Sequence, residues 1–225
     1  MRRIPFGEIL ETLEAHYGPQ QPCWPTDPYR FIVWWHCGYP ASDATCAKGW
    51  ESLRREIGVD PDQLLAADQA NIAQALRSGG MVPELRALRL IEIAQRVQRE
   101  FGGDLNAALK AMSTTKVRAA LKKFSGIADP GADRIILFAG IAPLAEVPSN
   151  CPQVLVRIAR GRERENYGVN YRHAQEIIEA ELPPNVDSRM RAYLLLKQHG
   201  QQLCKRTNPK CQICPVREAC AYVRR

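Results

Sequence analysis

Apolar positions along this chain recur at helical spacing, and strand-like alternation is scarce. Phe6–Tyr17 reads as a short amphipathic helix stopped by Gly18-Pro19, after which QQPCWPTDP forms a Pro-rich connector. Asp27–Cys37 is apolar on most sides, the pattern of a buried helix. Pro40 and Ser42 break it and start another helix carrying Cys46, Trp50 and Leu53. Leu85, Leu88, Ile91 and Ala94 set the period of a helix over Pro83–Glu100. Thr114 and Thr115 are placed to cap a helix running to Phe124. The next helix is expected to start at Pro130, with Asp129 as its cap. Asn150–Arg160, Tyr171–Glu181 and Ser188–Leu203 complete an all-α reading, and no internal repeat of fixed period is present.

At 225 residues the chain is long enough for a substantial core, in one domain or two small lobes. The 45% hydrophobic content is that of an ordered globular protein. No apolar run approaches the ~18–20 residues that span a bilayer, so no membrane association is expected. The net charge is +7 and suits a polyanionic partner. Lys205, Arg206, Lys210 and Arg217 cluster near the C-terminus, which closes on Arg224-Arg225. This patch reads either as a phosphate-binding surface or as a solvated basic face.

The same region holds Cys204, Cys211, Cys214 and Cys220, spaced C-x6-C-x2-C-x5-C. Four thiolates in one short loop suit a [4Fe–4S] cluster, in which each iron takes one soft anionic ligand. Tetrahedral zinc is the competing reading, although zinc ribbons usually set two C-x2-C pairs well apart. Two disulfides form a third. No secretory leader opens the sequence, so a reducing, cytoplasmic setting is expected, and disulfides are rare there. Cys37 and Cys46 sit on apolar helices and read as small buried hydrophobes.

The cysteine spacing resembles the iron–sulfur loop of the endonuclease III family of DNA glycosylases. SRMRAYLLLKQHGQQLC (Ser188–Cys204) resembles the family's last helix, which leads into the first ligand. LKKFSGIADPGADRIILFAG (Leu121–Gly140) resembles its helix-hairpin-helix, and DPYRFIVWWHCGYPASDATCAKGW (Asp27–Trp50) its opening barrel helix and following turn. The resemblance implies a two-lobed, all-α helix-hairpin-helix glycosylase fold with a C-terminal [4Fe–4S] loop. Residues 20–130 would form the barrel lobe, with the hairpin at about 115–140. Residues 1–20 and 131–225 would form the cluster lobe, with the loop at 204–220. It further implies a monomer acting on double-stranded DNA in base-excision repair. The alternative is a catalytically silent iron–sulfur protein that recognises unusual DNA. A third reading is an iron–sulfur redox protein with incidental basic charge, for which the hairpin has no use.

The hairpin also has a physical logic of its own. Gly126 and Gly131 permit tight backbone geometry, and N–H groups at a helix start suit a phosphate oxygen. Gly126, Ala128 and Gly131 are therefore candidate DNA contacts, together with Lys205, Arg206 and Lys210 of the loop. The competing reading is an ordinary turn between packed helices. The family's G-x-G is here Gly126-Ile127-Ala128, with a methyl group at the third position.

Glycosylase chemistry needs the base flipped into a pocket and a carboxylate to stabilise the sugar cation or activate a nucleophile. Bifunctional members add a Lys that forms a Schiff base. By resemblance the Lys position is Pro130 and the catalytic Asp position is Pro148, with Ser149 and Asn150 in the Thr-His places. A monofunctional enzyme is thereby implied. Glu146 and Asp129 are the nearest substitute acids, against plainer roles as a solvated side chain and a helix cap; Asp133 ranks third. Where the family often places a gap-filling Gln, Tyr39-Pro40 offers either an apolar wedge or a plain turn. Trp34, Trp35 and His36 read as core, with a base-stacking role open.

Overall fold

The computed structural model describes residues 4–149 and 151–224. Within them every regular element is helical: α1 Phe6–Tyr17, α2 Pro28–Gly38, α3 Asp43–Glu56, α4 Pro61–Ala66, α5 Gln69–Ala75, α6 Pro83–Phe101, α7 Leu105–Lys110, α8 Thr114–Leu121, α9 Asp129–Phe138, α10 Gln153–Arg160, α11 Tyr167–Glu181 and α12 Val186–Gln202. The chain forms two compact units. One spans Pro22–Ile141, and the other joins the segment ending at Gln21 to the chain from Ala142 onward.

The unit of residues 22–141 is organised on α2. Asp27 caps this helix, its carboxylate accepting from the Arg30 N–H at 2.9 Å, and Pro28 opens it. Residues Pro28, Tyr29 and Phe31–Gly38 are buried, as its continuous apolar pattern requires. Helices α3, α6, α7 and α9 pack against it. Trp34 and Trp35 are core residues, 2% and 7% exposed. Beside them the buried Arg134 of α9 lies 3.8 Å from the Trp24 ring centroid and 5.0 Å from that of Phe31. A guanidinium laid on aromatic faces ties the hairpin's second helix to α2.

The other unit packs α1 on α12 and α10 on both α11 and α12. Leu10, Leu13, Val154 and Leu195 are among its buried residues. Gly200 is required there, since a Cβ would meet Cys151 Cβ at 2.6 Å and Sγ at 2.8 Å. Asn166 and Asn185 cap α11 and α12, accepting from the N–H of Val169 and Ser188.

Several expected boundaries move for local reasons. Thr114 and Thr115 lie inside α8, and the N-cap position falls to Ser113. The helix stops at Leu121 because Lys123 and Phe124 turn back on carbonyls three residues earlier. Asp129 is not the cap of α9: Ala128 holds that place, and the Asp129 carboxylate pairs with Lys122 Nζ at 2.7 Å. Helix α10 starts at Gln153, after Pro152, and Asn150 lies outside the described residues, as does Arg225. The compact unit expected to end at 130 continues to Ile141, because 130 falls within α9.

Candidate functional site

The hairpin joins α8 to α9 through Lys122–Ala128. Phe124 and Ile127 anchor this turn in the core, leaving Ser125, Gly126 and Ala128 exposed. Gly126 has φ +73°, a left-handed conformation that favours glycine. Ala128 is extended at φ −98°, which accommodates the methyl group where the family has a second glycine. The N–H groups of Gly126 and Ala128 find no acceptor among the described residues and stand at the N-terminal end of α9. Gly131 plays a different part from the one expected. It is buried in the helix, and a Cβ there would meet Ile127 at an ordinary 3.5 Å.

Two buried side chains fix this turn and its neighbours. His36 Nε2 donates to the Ser125 carbonyl at 2.8 Å. Burial pulls its pKa down to about 4, so the ring is neutral and one nitrogen is free to donate. Arg86 donates from Nε to the Met81 carbonyl at 2.7 Å, from Nη1 to that of His36 at 2.9 Å and from Nη2 to that of Tyr39 at 2.8 Å. The Tyr39-Pro40 turn and the Met81-Val82 loop are thereby held together. Tyr39 stacks on Trp35 with centroids 3.6 Å apart yet stays half-exposed, while Met81 is 82% exposed. The pattern singled out Tyr39; Met81 was missed, because a lone Met after Gly-Gly carries no periodic signal.

In the other unit, Cys204, Cys211, Cys214 and Cys220 line a single pocket. Cys204, Cys211, Cys214 and Cys220 form no disulfide in this structure. Among the described residues no three His, Cys, Asp or Glu side chains converge as the ligands of a single ion. Burial pushes the Cys204 thiol up to about 11 and raises those of Cys214 and Cys220. Thiolates here need a compensating cation. Polar groups face the sulfurs: Arg157 Nη1 donates toward Cys204 at 3.9 Å, and His199 Nε2 stands 3.6 Å from Cys214. This donor set fits an iron–sulfur group.

Arg157, another residue the sequence reading missed, shapes the basic loop. It is 3% exposed on α10 and forms a fork on Glu163, donating from Nε at 2.8 Å and also from Nη2. Its remaining donors reach the Lys205 carbonyl at 2.8 Å and that of Arg206 at 3.0 Å. The backbone of these residues is pinned while the side chains of Lys205, Arg206 and Lys210 stay exposed. An arginine within the apolar run VLVRI was the available signal.

The acids sort by environment. Asp133 is buried and ion-paired with Arg118 at 2.6 Å, joining α9 to α8. Asp129 is exposed beside Lys122. Glu146, expected in its plainer reading to be solvated, is 2% exposed and accepts from the Tyr171 hydroxyl at 2.7 Å. Tyr167, one turn before Tyr171 on α11, donates to the Ser149 carbonyl at 2.8 Å. These two tyrosines hold the segment containing Pro148, which is itself buried.

No protein-family model matches the chain. Over 214 residues it is 23% identical to a protein of Methanocaldococcus jannaschii that carries the provisional name DNA repair glycosylase, covering 95% of this chain and 94% of that one. It is 22% identical over 201 residues to endonuclease III of Thermotoga maritima, covering 89% and 85% of the two chains. Among solved structures, endonuclease III in a non-covalent complex with DNA matches with a TM-score of 0.73 at 15% identity, over 97% of this chain and 95% of that one. The chain therefore has the helix-hairpin-helix fold of endonuclease III, and across nearly its whole length its sequence is similar to DNA repair glycosylases of that type.

Proposed function

We propose that the protein is a DNA glycosylase of base-excision repair that removes a damaged, mismatched or modified base without coupled strand cleavage. The observation that carries this reading is the hairpin: two exposed N–H groups lacking acceptors, at Gly126 and Ala128, open a helix in a fold shared with endonuclease III. Amides so placed bind a backbone phosphate and position a duplex without reading its sequence. The exposed Tyr39 and Met81, braced by Arg86, suit an apolar wedge against an opened base step. Pro130 stands at the Schiff-base position by resemblance and offers no amine, which supports a monofunctional reaction. Glu146, oriented by Tyr171, is the carboxylate proposed to stabilise the sugar cation as the base leaves. The protein is proposed to act as a monomer.

The four loop cysteines are proposed to hold a [4Fe–4S] cluster. A tetrahedral zinc needs every sulfur about 2.3 Å from one centre. A cubane gives each sulfur its own iron, so the sulfurs line a wider pocket. One pocket lined by all four cysteines, with Arg157 and His199 beside the sulfurs, supports the cubane. When bound, the cluster would cross-link the loop and supply a one-electron centre.

A second reading, a DNA-binding protein without excision, is favoured by one observation. Of the three candidate acids, Glu146 and Asp133 are buried and Asp129 is engaged by Lys122. Duplexes carrying assorted lesions, incubated with the protein and treated with alkali, separate the readings: excised bases appear as strand breaks, and binding without breaks selects the second.

DNA affinity is expected to fall linearly with salt on logarithmic axes, by about 0.9 per phosphate neutralised. Lys210→Glu should weaken binding to all sequences alike and flatten that slope by roughly one or more. Fluorescence anisotropy across a salt series checks both, and salt-independent affinity would contradict the interface.

A further inference from the structure

His199 lies on α12, one turn before Cys204, and is 1% exposed. Its Nδ1 is 2.9 Å from the hydroxyl of Tyr17, the last residue of α1, and its Nε2 is 3.6 Å from Cys214 Sγ. Neither residue is a ligand, and nothing in the proposed reaction uses them. The inference rests on the reading of the loop as an iron–sulfur site.

A metal-bound thiolate carries no proton and can only accept. The imidazole proton must then sit on Nε2 if the contact with Cys214 is a hydrogen bond. Nδ1 becomes the acceptor, and the Tyr17 hydroxyl is left with one role, donation to it. We infer that Tyr17 and His199 form a one-way hydrogen-bond relay onto the Cys214 sulfur, which tunes the reduction potential of the cluster and couples helix α1 to it. A hydrogen bond to a ligand sulfur withdraws negative charge and favours the more negative, reduced cluster. Tyr17 and His199 are positioning residues that act through Cys214.

The test compares the cluster-loaded full chain with its Tyr17→Phe, His199→Phe and His199→Gln variants. Protein-film voltammetry reads the potential, with one electron passing from the electrode to each cluster and no bond broken. Resonance Raman spectra in H2O and D2O read the Fe–S stretches. Tyr17→Phe is expected to shift the potential negative at unchanged iron content. His199→Phe should shift it further and diminish the D2O sensitivity of one Fe–S stretch. His199→Gln, whose amide can still donate, should recover part of both. Should His199→Phe fail to fold, Tyr17→Phe decides, since it removes a single oxygen. A wild-type potential and spectrum in Tyr17→Phe would overturn the relay. A wild-type protein that binds no iron would overturn the cluster reading itself, and the relay with it.

Discussion

Cys204→Ser is expected to strip the protein of iron and to destabilise the unit containing the cysteine loop by at least several kcal/mol. Between Leu203 and the C-terminus the described chain has only short 3-10 turns, Cys211–Ile213 and Arg217–Ala219, and Val216 is a buried apolar anchor there. Apolar burial by Val216, with Tyr222 and Val223 partly packed against the core, is small against the entropy of ordering the loop, at roughly 1–2 kcal/mol per residue. Ligation of the proposed cluster would supply the difference, because a metal bound only by the folded state adds its binding energy to folding. Structural zinc sites of comparable ligand number contribute about 10–16 kcal/mol, against a total stability of about 5–15 kcal/mol for a typical protein. Cys204 joins α12 to the loop and faces Arg157, so its loss also leaves that buried guanidinium short of a partner. Metal analysis, the broad absorbance near roughly 400 nm expected of thiolate-bound iron, and thermal melting check the outcome. Wild-type protein should be brown, and chelation should lower its melting temperature as the variant does. Stoichiometric zinc with no iron would replace the cluster by the tetrahedral site. Unchanged melting in Cys204→Ser would remove the structural role of ligation altogether.

What the sequence disclosed and what it hid divide along one physical line. Local signals read well. Gly18-Pro19 ends α1 at Tyr17, Asp27 and Pro28 start α2, and Pro83 starts α6 where expected. Each is a backbone constraint carried by one or two neighbouring residues. Cap choice read less well, because Ser113 and Ala128 take the cap positions expected of Thr114 and Asp129 through turn geometry and not through side-chain preference. The short helices α4, α5 and α7 fell below the length at which periodicity is informative. The supporting residues of the site were hidden for another reason. Arg86 and Arg157 donate to carbonyl groups 47 or more residues away, which have no sequence signature. Tyr171 and Glu146 stand 25 positions apart. A solvated Glu146 was the natural expectation from residue type, and its burial depends on tertiary contacts with α11.

Glu146→Gln is expected to slow base excision by roughly a hundredfold or more. A carboxylate positioned against a developing sugar cation acts by charge, and loss of comparable positioned electrostatic stabilisation costs about 2.7–4 kcal/mol. The substitution is nearly isosteric. The Gln side-chain oxygen can still accept from the Tyr171 hydroxyl, so the local packing should survive while the charge is lost. Single-turnover excision on a lesion duplex should therefore fall far more than the folded fraction or DNA affinity does. A purely structural Glu146 predicts the opposite, with rate and folded fraction moving together. Tyr171→Phe should give a smaller loss, since it frees the carboxylate from its orienting bond without removing the charge. Asp129→Asn is the comparison: its carboxylate is exposed and paired with Lys122, and full activity in that variant would confine it to an ion pair on the hairpin. If Glu146→Gln and Asp129→Asn are both fully active, Asp133 becomes the next acid to replace, with the added expectation that breaking its buried bond to Arg118 loosens α8 from α9. Borohydride should trap no covalent complex with abasic DNA in any of these proteins, because Pro130 supplies no amine at the position from which the family forms its imine. Efficient trapping would show that another amine has taken that role. If the native protein excises no lesion at all yet binds the duplexes, the buried Glu146 and the two prolines at the family's catalytic positions are the mark of a DNA-recognition protein that has given up the chemistry.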